Sequence, residues 1–520
     1  MAVAFALTAA PRPYGRDADT LVVAFPREVR TLDGNYSNTR ENDILGLLVD
    51  DALFYIDPET LRVEPLSALS HRFVDDLTLE VELRRDVTFH DGSPMTAADV
   101  VYTYRWLLDE RSQAEFSTRF RRWLDRVEAV GPYTVRFHMK AANATVLYDL
   151  AMYSKIRRAG AYDDPSAAHG VNPDALTRRL NGTGPYRVAS FQSGDTVRLE
   201  RYEGYRDSSP KGRPDIGALL IRVIPDFSTQ AAEVVAGGVG WTYNVPTDLA
   251  EDVARTGQAN FVAAPSMRVG YIVFDAAGYV VPAGPLTNAD VRRALNLAID
   301  RDAIVSRLVR GGARVVHTPC LPVQFGCDQT VTRYPHDPVQ ARALLARAGY
   351  ADGFEIDLWA ARDKDVVEAV AAMWRQVGVR ARVRYVKAAA LGKAIEERQA
   401  VAYFTSYGSF GIPDAGAILP DRLGGDTANT LHDDALVKQA LQASFASYDP
   451  TQRQAAFSAA LTRITSEAYL APIFEYTQNF LISPEVEYRQ AADGMPRLYL
   501  ARWRRPGPTG PGAASPGADR

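Results

Sequence analysis

The chain has 520 residues, 47% of them hydrophobic and 23% charged, with a net charge of −4. This size exceeds one ordinary core and predicts a globular protein of two or three domains. No long basic run occurs, which argues against a nucleic-acid partner. The sequence also contains no stretch of about 18 apolar residues, the length that would predict a membrane span.

The N-terminal segment MAVAFALTAA is apolar and ends in small residues, like the last part of a secretory signal. No Lys or Arg precedes it, so residues 1–19 fit either a signal remnant or an incidental flexible N-terminus. No cysteine lies near it, which gives no support to a lipid anchor.

The first predicted elements are a strand over residues 21–25 (LVVAF) and an amphipathic helix over about 40–53, separated by the polar segment DGNYSN. Further on, VEAVGPYTVRFHM predicts two strands around a Gly-Pro turn. GTGPYR at residues 182–187 begins another β section, and residues 219–224 predict a strand before a helix near 229–236.

The segment LRRDVTFHDGSPMTAADV, residues 83–100, combines a strand, a turn and a helix start. Val87 and Phe89 alternate with polar neighbours, as on a half-buried strand. HDG supplies turn chemistry, and Pro94 stops the strand. Thr96 followed by Asp99 three residues on is the pattern of a helix N-cap.

This order closely resembles the signature of the family-5 extracellular solute-binding proteins, the peptide, opine and nickel receptors of bacterial ABC importers. LTNADVRRALNLAIDRDAIVSRLVRGG at residues 286–312 resembles a second family segment, two helices ended by glycine. DPVQARALLARAGY at 337–350 resembles a third, a helix before the strand FEIDLWA, and the helix at 364–377 and strand at 381–386 continue the alternation.

The resemblance implies an α/β protein with the two-lobed periplasmic binding protein fold, a hinge between the lobes and an extra subdomain on the first lobe. Residues 506–520 are rich in Pro and Gly and predict a disordered tail. The implied division is lobe I at 20–268 with the subdomain at about 56–178, lobe II at 269–478, a return to lobe I at 479–505, and chain crossings near 266–271 and 473–480.

The only two cysteines, Cys320 and Cys327, lie in a loop stiffened by proline and glycine. Such a loop can bring the two Cα atoms within disulfide range, and closing it would restrict the unfolded chain by roughly 2–3 kcal/mol. A disulfide also fits an oxidising compartment. The alternative is two buried free thiols; the spacing does not fit a zinc site.

No catalytic constellation is apparent. The seven histidines form no metal-ligand spacing, and neither a nucleophile elbow nor a phosphate-binding loop occurs. His90 and Asp91 are adjacent in a turn, where side chains usually point apart. We therefore expect a binding protein without metal or cofactor rather than an enzyme; the alternatives are a secreted hydrolase, a metallophore, haem or nickel receptor, and a sensor or chaperone.

The segment VAYFTSYGSFGIPDAGAIL, residues 401–419, resembles the family's cleft loop. In peptide-binding relatives an Asp four residues before the Pro pairs with the ligand's ammonium, and Ser409 takes that place here. A hydroxyl cannot neutralise a buried ammonium, so we expect free peptides to bind weakly unless another acid, first of all Asp414, takes the role. The ligand contacts implied in this segment are Tyr403, Ser406, Tyr407, Ser409, Phe410 and Asp414.

Four more ligand contacts are implied by position. Trp241 stands where a lobe I aromatic can face the cleft, but a tryptophan is often core. Arg362 follows the strand FEIDLWA, where it could bind an acidic group of the ligand. The alternative is that it is a solvated charge at the end of the strand. Asn35 and Asn38 follow the first strand, in a loop that borders the cleft in relatives. The alternative is that they form a simple turn.

The resemblance also implies the protein's partners and location. We expect a periplasmic monomer that closes around a small solute such as a peptide, an opine or a modified sugar. It would then dock on an ABC permease whose ATPase subunits hydrolyse ATP.

Overall fold

The structure is a computed structural model that describes residues 19–167, 170–409, 411–425 and 427–504. Phe410, the tail at 506–520 and residues 1–18 of the predicted N-terminal segment lie outside the described residues. Among the described residues, no helix combines the length and apolar character needed to cross a bilayer.

The secondary structure mixes strands and helices along the described chain. The strands are β1 (Thr20–Phe25), β2 (Phe54–Ile56), β3 (Val63–Pro65), β4 (Ala68–Asp75), β5 (Thr78–Leu83), β6 (Leu124–Gly131), β7 (Thr134–Met139), β8 (Tyr186–Gln192), β9 (Thr196–Arg201), β10 (Ala218–Val223), β11 (Trp241–Tyr243), β12 (Asn260–Phe274), β13 (Arg314–Val315), β14 (Phe354–Ala360), β15 (Val379–Tyr385), β16 (Ala402–Gly408), β17 (Leu470–Ile482), β18 (Val486–Glu487) and β19 (Arg502–Trp503). The helices are α1 (Arg40–Val49), α2 (Ala97–Leu108), α3 (Ser117–Trp123), α4 (Val146–Met152), α5 (Phe227–Val235), α6 (Thr247–Arg255), α7 (Ala289–Leu297), α8 (Arg301–Ile304), α9 (Pro338–Arg347), α10 (Lys364–Gln376), α11 (Ala388–Glu396), α12 (Leu419–Leu423), α13 (Ala435–Ala446) and α14 (Pro450–Ser466).

Two long antiparallel strands, β12 and β17, join the two halves of the molecule. They lie side by side in a sheet of order β15-β14-β16-β12-β17-β11-β1-β10-β9-β8. At one end β17 pairs with β11, and at the other β12 pairs with β16. The first half, lobe I, therefore carries β1 and β8–β11, and the second half, lobe II, carries β14–β16.

The ladder between β12 and β17 is interrupted where the strands pass between the lobes. Pro265 pairs with Thr477 and Val269 with Glu475, so three residues of β12 stand opposite one residue of β17. Met267, in the middle of the three, has a φ of 50°. A β-bulge of this kind bends the strand and redirects a side chain, here that of Arg268.

The extra subdomain is a four-stranded antiparallel sheet, β4-β5-β7-β6, with α2 packed on it. The predicted capping box is present: Thr96 and Asp99 each bond to the other's backbone at the start of α2. Val87 and Phe89 are buried, but the segment predicted as a strand makes only an isolated bridge, between Thr88 and Pro94.

The signature turn docks onto lobe I through the GTGPYR segment. The backbone N–H of His90 donates to the carbonyl of Gly182, and His90 Nε2 lies 3.0 Å from the carbonyl oxygen of Gly184. Burial lowers the pKa of His90. A Cβ on Gly182 would lie 1.9 Å from the Val49 carbonyl oxygen at the end of α1, so this approach requires glycine. His90 therefore has a structural role.

Lobe II differs from the sequence expectation at one helix. The second helix of the segment at 286–312 is α-helical only over α8 and continues as a π-helix over Val305–Val309 before Gly311. In lobe I, the predicted helix at 40–53 also ends earlier than expected, at Val49.

Ile412 and Ala417 of lobe II belong to the apolar core of the subdomain, so the lobes are in contact beyond the hinge.

Candidate functional site

A cavity of about 880 Å³ lies between the lobes beside the two crossing strands. Lobe I contributes Arg27, the first turn of α1 and the loop before α6 to its walls. The crossing strands contribute Ser266, Arg268 and residues 476–479, and lobe II contributes the start of α10. A cavity bounded by two lobes and their hinge can enclose a small solute on closure.

Two arginines on the lobe II side of this cavity share one acceptor. Arg268 Nη1 and Arg362 Nη1 donate to Ser406 Oγ over 3.0 and 2.6 Å. Arg268 has no other hydrogen bond and no carboxylate partner within the described ranges. Burial, together with the charge of Arg362, lowers the pKa of Arg268 to about 10. An anion in the cavity would stabilise its charged form.

Arg362 is held more firmly than Arg268. Its Nε donates to Asp363 Oδ2 over 2.9 Å, and its guanidinium lies 4.9 Å from the centre of the Tyr476 ring. The Tyr476 hydroxyl donates to the same Asp363 oxygen. Burial opposes the charge of Arg362, but Tyr476 and Asp363 outweigh it and raise the pKa. Arg362 is therefore oriented before any ligand arrives.

The first turn of α1 brings charged groups to the opposite wall. Arg40 Nη1 contacts Met495 Sδ at 3.2 Å and has no carboxylate partner among the described side chains. Glu41 is buried; its Oε1 accepts from the Tyr243 hydroxyl over 2.8 Å, and its Oε2 has no partner in the described chain. Burial raises the pKa of Asp43 to about 6 despite nearby Arg40. Both signs of charge thus face the cavity.

Some of the residues predicted from the sequence border this cavity. Asn38 and Arg362 line it. Asn38 Nδ2 donates to Glu115 Oε1. Ser406 does not line the cavity but positions two arginines at its wall.

Three other predicted contacts are buried within one half of the molecule. Asn35 bonds through its side chain to both the N–H and the carbonyl of Lys155, at 2.8 and 3.0 Å. Trp241 is fully buried and packs against Tyr243. The Tyr403 hydroxyl donates to the Asn429 carbonyl over 2.7 Å. None of the three lines the cavity.

The predicted cleft loop packs between lobe II and the subdomain rather than on the cavity. The Tyr407 ring lies 4.2 Å from the Arg422 guanidinium. Ser409 is buried, with its hydroxyl 3.5 Å from Met267 Sδ. Asp414 is buried and accepts from Arg453 Nη2 over 3.0 and 2.9 Å. Because its carboxylate is already paired, Asp414 is poorly placed to bind a ligand's ammonium.

Sequence reasoning missed Arg268, Glu41 and Tyr476. The available signal for Arg268 was a single cation in the run MRVGYIVF, where it interrupts an apolar strand. The bulge that redirects it depends on pairing with a strand some 200 residues later, which no local pattern reveals. Glu41 resembles an ordinary acid in the first turn of a helix.

The loop containing the cysteines braces the same region of lobe II. Cys320 and Cys327 form the predicted disulfide, with their Cα atoms 5.8 Å apart. Between them, the N–H of Phe325 donates to the Pro413 carbonyl over 2.9 Å. Phe325 also lies 4.9 Å from the Arg453 guanidinium that pairs with Asp414. Within the described residues, no group of three His, Cys, Asp or Glu side chains could hold a metal ion.

Comparisons with known proteins agree with this geometry. The family described as bacterial extracellular solute-binding proteins, family 5 Middle, matches residues 62–429. The chain is 28% identical over 426 residues to the glutathione-binding protein GsiB of Pectobacterium atrosepticum, covering 78% of this chain and 77% of that one. It is 29% identical over 380 residues to heme-binding protein A of Haemophilus influenzae, covering 68% and 67%.

Among solved structures, HbpA2 from Haemophilus parasuis superposes with a TM-score of 0.81 at 23% identity, covering 94% of this chain and all of that one. A dipeptide-binding protein from Pseudoalteromonas sp. SM9913, solved with Met-Leu, gives a TM-score of 0.75 at 19% identity, covering 93% and 100%. These similarities confirm the expected two-lobed fold.

Proposed function

The chain belongs to the family-5 bacterial extracellular solute-binding proteins and is a substrate-binding component of an ABC importer; we propose that its solute is a small peptide-like acid. A carboxylate of that solute binds Arg268, with Arg362 and Arg40 at the same cavity. In this proposal the receptor is monomeric and periplasmic, and it delivers the solute to its permease.

The observation that carries the proposal is the unpaired guanidinium of Arg268. Arginine presents its donors in a planar fork that matches a carboxylate, and an Arg–carboxylate pair away from bulk water is stronger than a neutral hydrogen bond. At present the guanidinium has only the Ser406 hydroxyl and faces a second arginine. A ligand carboxylate would supply the missing partner and offset the repulsion.

The relatives support an acidic peptide over other family cargoes. GsiB proteins are named for glutathione, a tripeptide that carries two carboxylates. Heme-binding protein A is also similar, but the residues lining this cavity include no His, Cys or Met for haem iron, and the hydroxyl of the lining Tyr476 already donates to Asp363. The cavity therefore favours the peptide-like acid.

Isothermal titration calorimetry of the purified protein tests this proposal. The panel contains glutathione, Gly-Asp, Ala-Glu and Ala-Ala-Glu, each with a free and an amidated C-terminus, together with opines and neutral oligosaccharides. We expect the acids to bind and amidation to weaken binding by about tenfold or more. If oligosaccharides bind and every acid fails, the proposed ligand class is wrong.

A further inference from the structure

Glu41 leaves one carboxylate oxygen unused at the wall of the cleft. The side chain is 2% exposed and borders the cavity. Its Oε1 accepts from the Tyr243 hydroxyl, whereas Oε2 is buried without a hydrogen-bond partner in the described chain. Removing a carboxylate oxygen from water without giving it a donor is unfavourable, so such a group usually marks a missing partner.

Neighbouring groups do not neutralise this acid. Arg40 precedes it but contacts Met495 instead, and no ion pair to Glu41 is formed by any described side chain. Asp43, on the same turn of α1, adds a second acid to this wall. On this wall, Oε2 of Glu41 is therefore a buried acceptor that a ligand's cationic donor could use.

Two amide oxygens extend the same acceptor surface. Gln478 Oε1 and Asn479 Oδ1 are buried, lack partners among the described atoms and belong to residues that line the cavity. Asn479 uses its Nδ2 to donate to the Val245 carbonyl over 3.1 Å, which fixes its amide in lobe I. Open acceptors thus belong to α1 and the lobe I end of β17. The cavity-lining guanidinium groups without a carboxylate partner among the described residues include Arg268 at the bulge and Arg40 beside Glu41.

From the unused Oε2 of Glu41 and the open guanidinium of Arg268 we propose that Glu41 binds the primary ammonium group of the solute. The inference rests on the proposed function and deepens it, because it fixes the direction in which an acidic peptide lies. The ammonium contacts Glu41 on lobe I, and a carboxylate contacts Arg268 beside lobe II. A solute held at both ends favours the closed arrangement of the lobes.

This assignment differs from the expectation based on Ser409. That position is buried against Met267, so the lack of an acid there does not leave the cleft without one. Asp414 is already bound by Arg453. Free peptides are therefore expected to bind, with Glu41 in the role that the cleft-loop acid has in peptide-binding relatives.

The test compares each acidic peptide of the calorimetric panel with its N-acetylated form. For the wild-type protein, acetylation should weaken binding by about tenfold or more, because it removes the ammonium charge. In Glu41→Gln the free peptide should bind about tenfold more weakly while the acetylated form is unchanged. Glu28→Gln is the matched control, since Glu28 lies in lobe I, pairs with Arg30 and does not line the cavity.

The outcomes separate this inference from the proposed function. If the wild-type protein binds free and acetylated peptides equally well, Glu41 does not bind the ammonium group, and no variant is needed to show this. A folded Glu41→Gln protein that keeps the wild-type preference would show the same, while the acidic ligand class stands. If the wild-type protein binds no acid of the panel, the proposed function fails and this inference fails with it.

Discussion

Arg268 and Arg362 donate to the same atom, Oγ of Ser406, over distances of 3.0 and 2.6 Å. One arginine comes from the bulge of β12 and the other follows β14, so their juxtaposition exists only in the folded protein. Asp363 compensates Arg362, and no described carboxylate compensates Arg268. The site thus holds an uncompensated positive charge where the proposed ligand lies.

Arg268→Gln should weaken binding of acidic peptides and stabilise the unliganded protein. Losing a charged hydrogen bond should cost about 1.5–3 kcal/mol, roughly a 10- to 150-fold increase in Kd. Removing a half-buried cation beside Arg362 should raise the free energy of unfolding by about 1 kcal/mol. Calorimetry and thermal melts of the same preparations measure the two effects.

Arg382→Gln is the matched control for this substitution. Arg382 is exposed on β15, pairs with Asp357 and does not line the cleft cavity. It should change neither affinity nor stability by more than about 0.5 kcal/mol. Equal affinity of wild type and Arg268→Gln for every acid of the panel would contradict the role of Arg268.

The sequence predicted the arrangement of elements better than the details of the site. Thr96 and Asp99 interact within one helical turn, and this short-range pattern correctly predicted the start of α2. Arg268, in contrast, depends on a register shift between strands far apart in the chain. Trp241 was predicted to face the cleft but is buried in the core. An aromatic residue suits either place, and only the packing of the folded protein determines where it lies.

Removing the disulfide with Cys320→Ala/Cys327→Ala should lower the free energy of unfolding by about 2–3 kcal/mol. The closed loop is short, so the entropy lost by the unfolded chain is modest. Chemical denaturation of both proteins with and without reductant measures the change. In exported protein, alkylation without reductant should add no mass; two adducts would contradict the disulfide.

Acid should destabilise the contact between α13 and α14 through Asp434. Burial alone would raise the pKa of this carboxyl, but donors from Tyr469, Arg463 and the α13 backbone lower it to about 2. Because the folded pKa lies below the unfolded value, the stabilisation is complete above about pH 4 and is lost as the pH falls towards 2. The loss should reach about 2 kcal/mol.

Denaturation of Asp434→Asn between pH 7 and pH 2 tests this effect. The variant should be less stable than wild type at pH 7, and the difference should shrink as the pH falls. The neighbouring Asp433 is exposed, so Asp433→Asn should follow the wild-type curve. A difference between Asp434→Asn and wild type that stays constant with pH would contradict the assignment.

Arg310 should stabilise the closed arrangement of the lobes. It follows the π-helix of lobe II and bonds to two acids of α6 in lobe I: Nη1 to Asp248 over 2.6 Å and Nη2 to Glu251 over 2.5 Å. These pairs are partly exposed, so each should contribute only about 0.2–1 kcal/mol. Because Arg310→Gln removes both pairs, it should raise the Kd for an acidic peptide about two- to thirtyfold, mainly through faster dissociation.

The same substitution should shift the unliganded protein towards more open conformations, since it weakens a contact that requires the lobes to be close. Small-angle scattering should show a larger radius of gyration for unliganded Arg310→Gln and an unchanged value for the liganded form. Arg307→Gln is the control, because Arg307 is exposed on the same segment and has no ion pair with any described residue. If both variants have the wild-type Kd and radius, the Arg310 contacts do not contribute to closure.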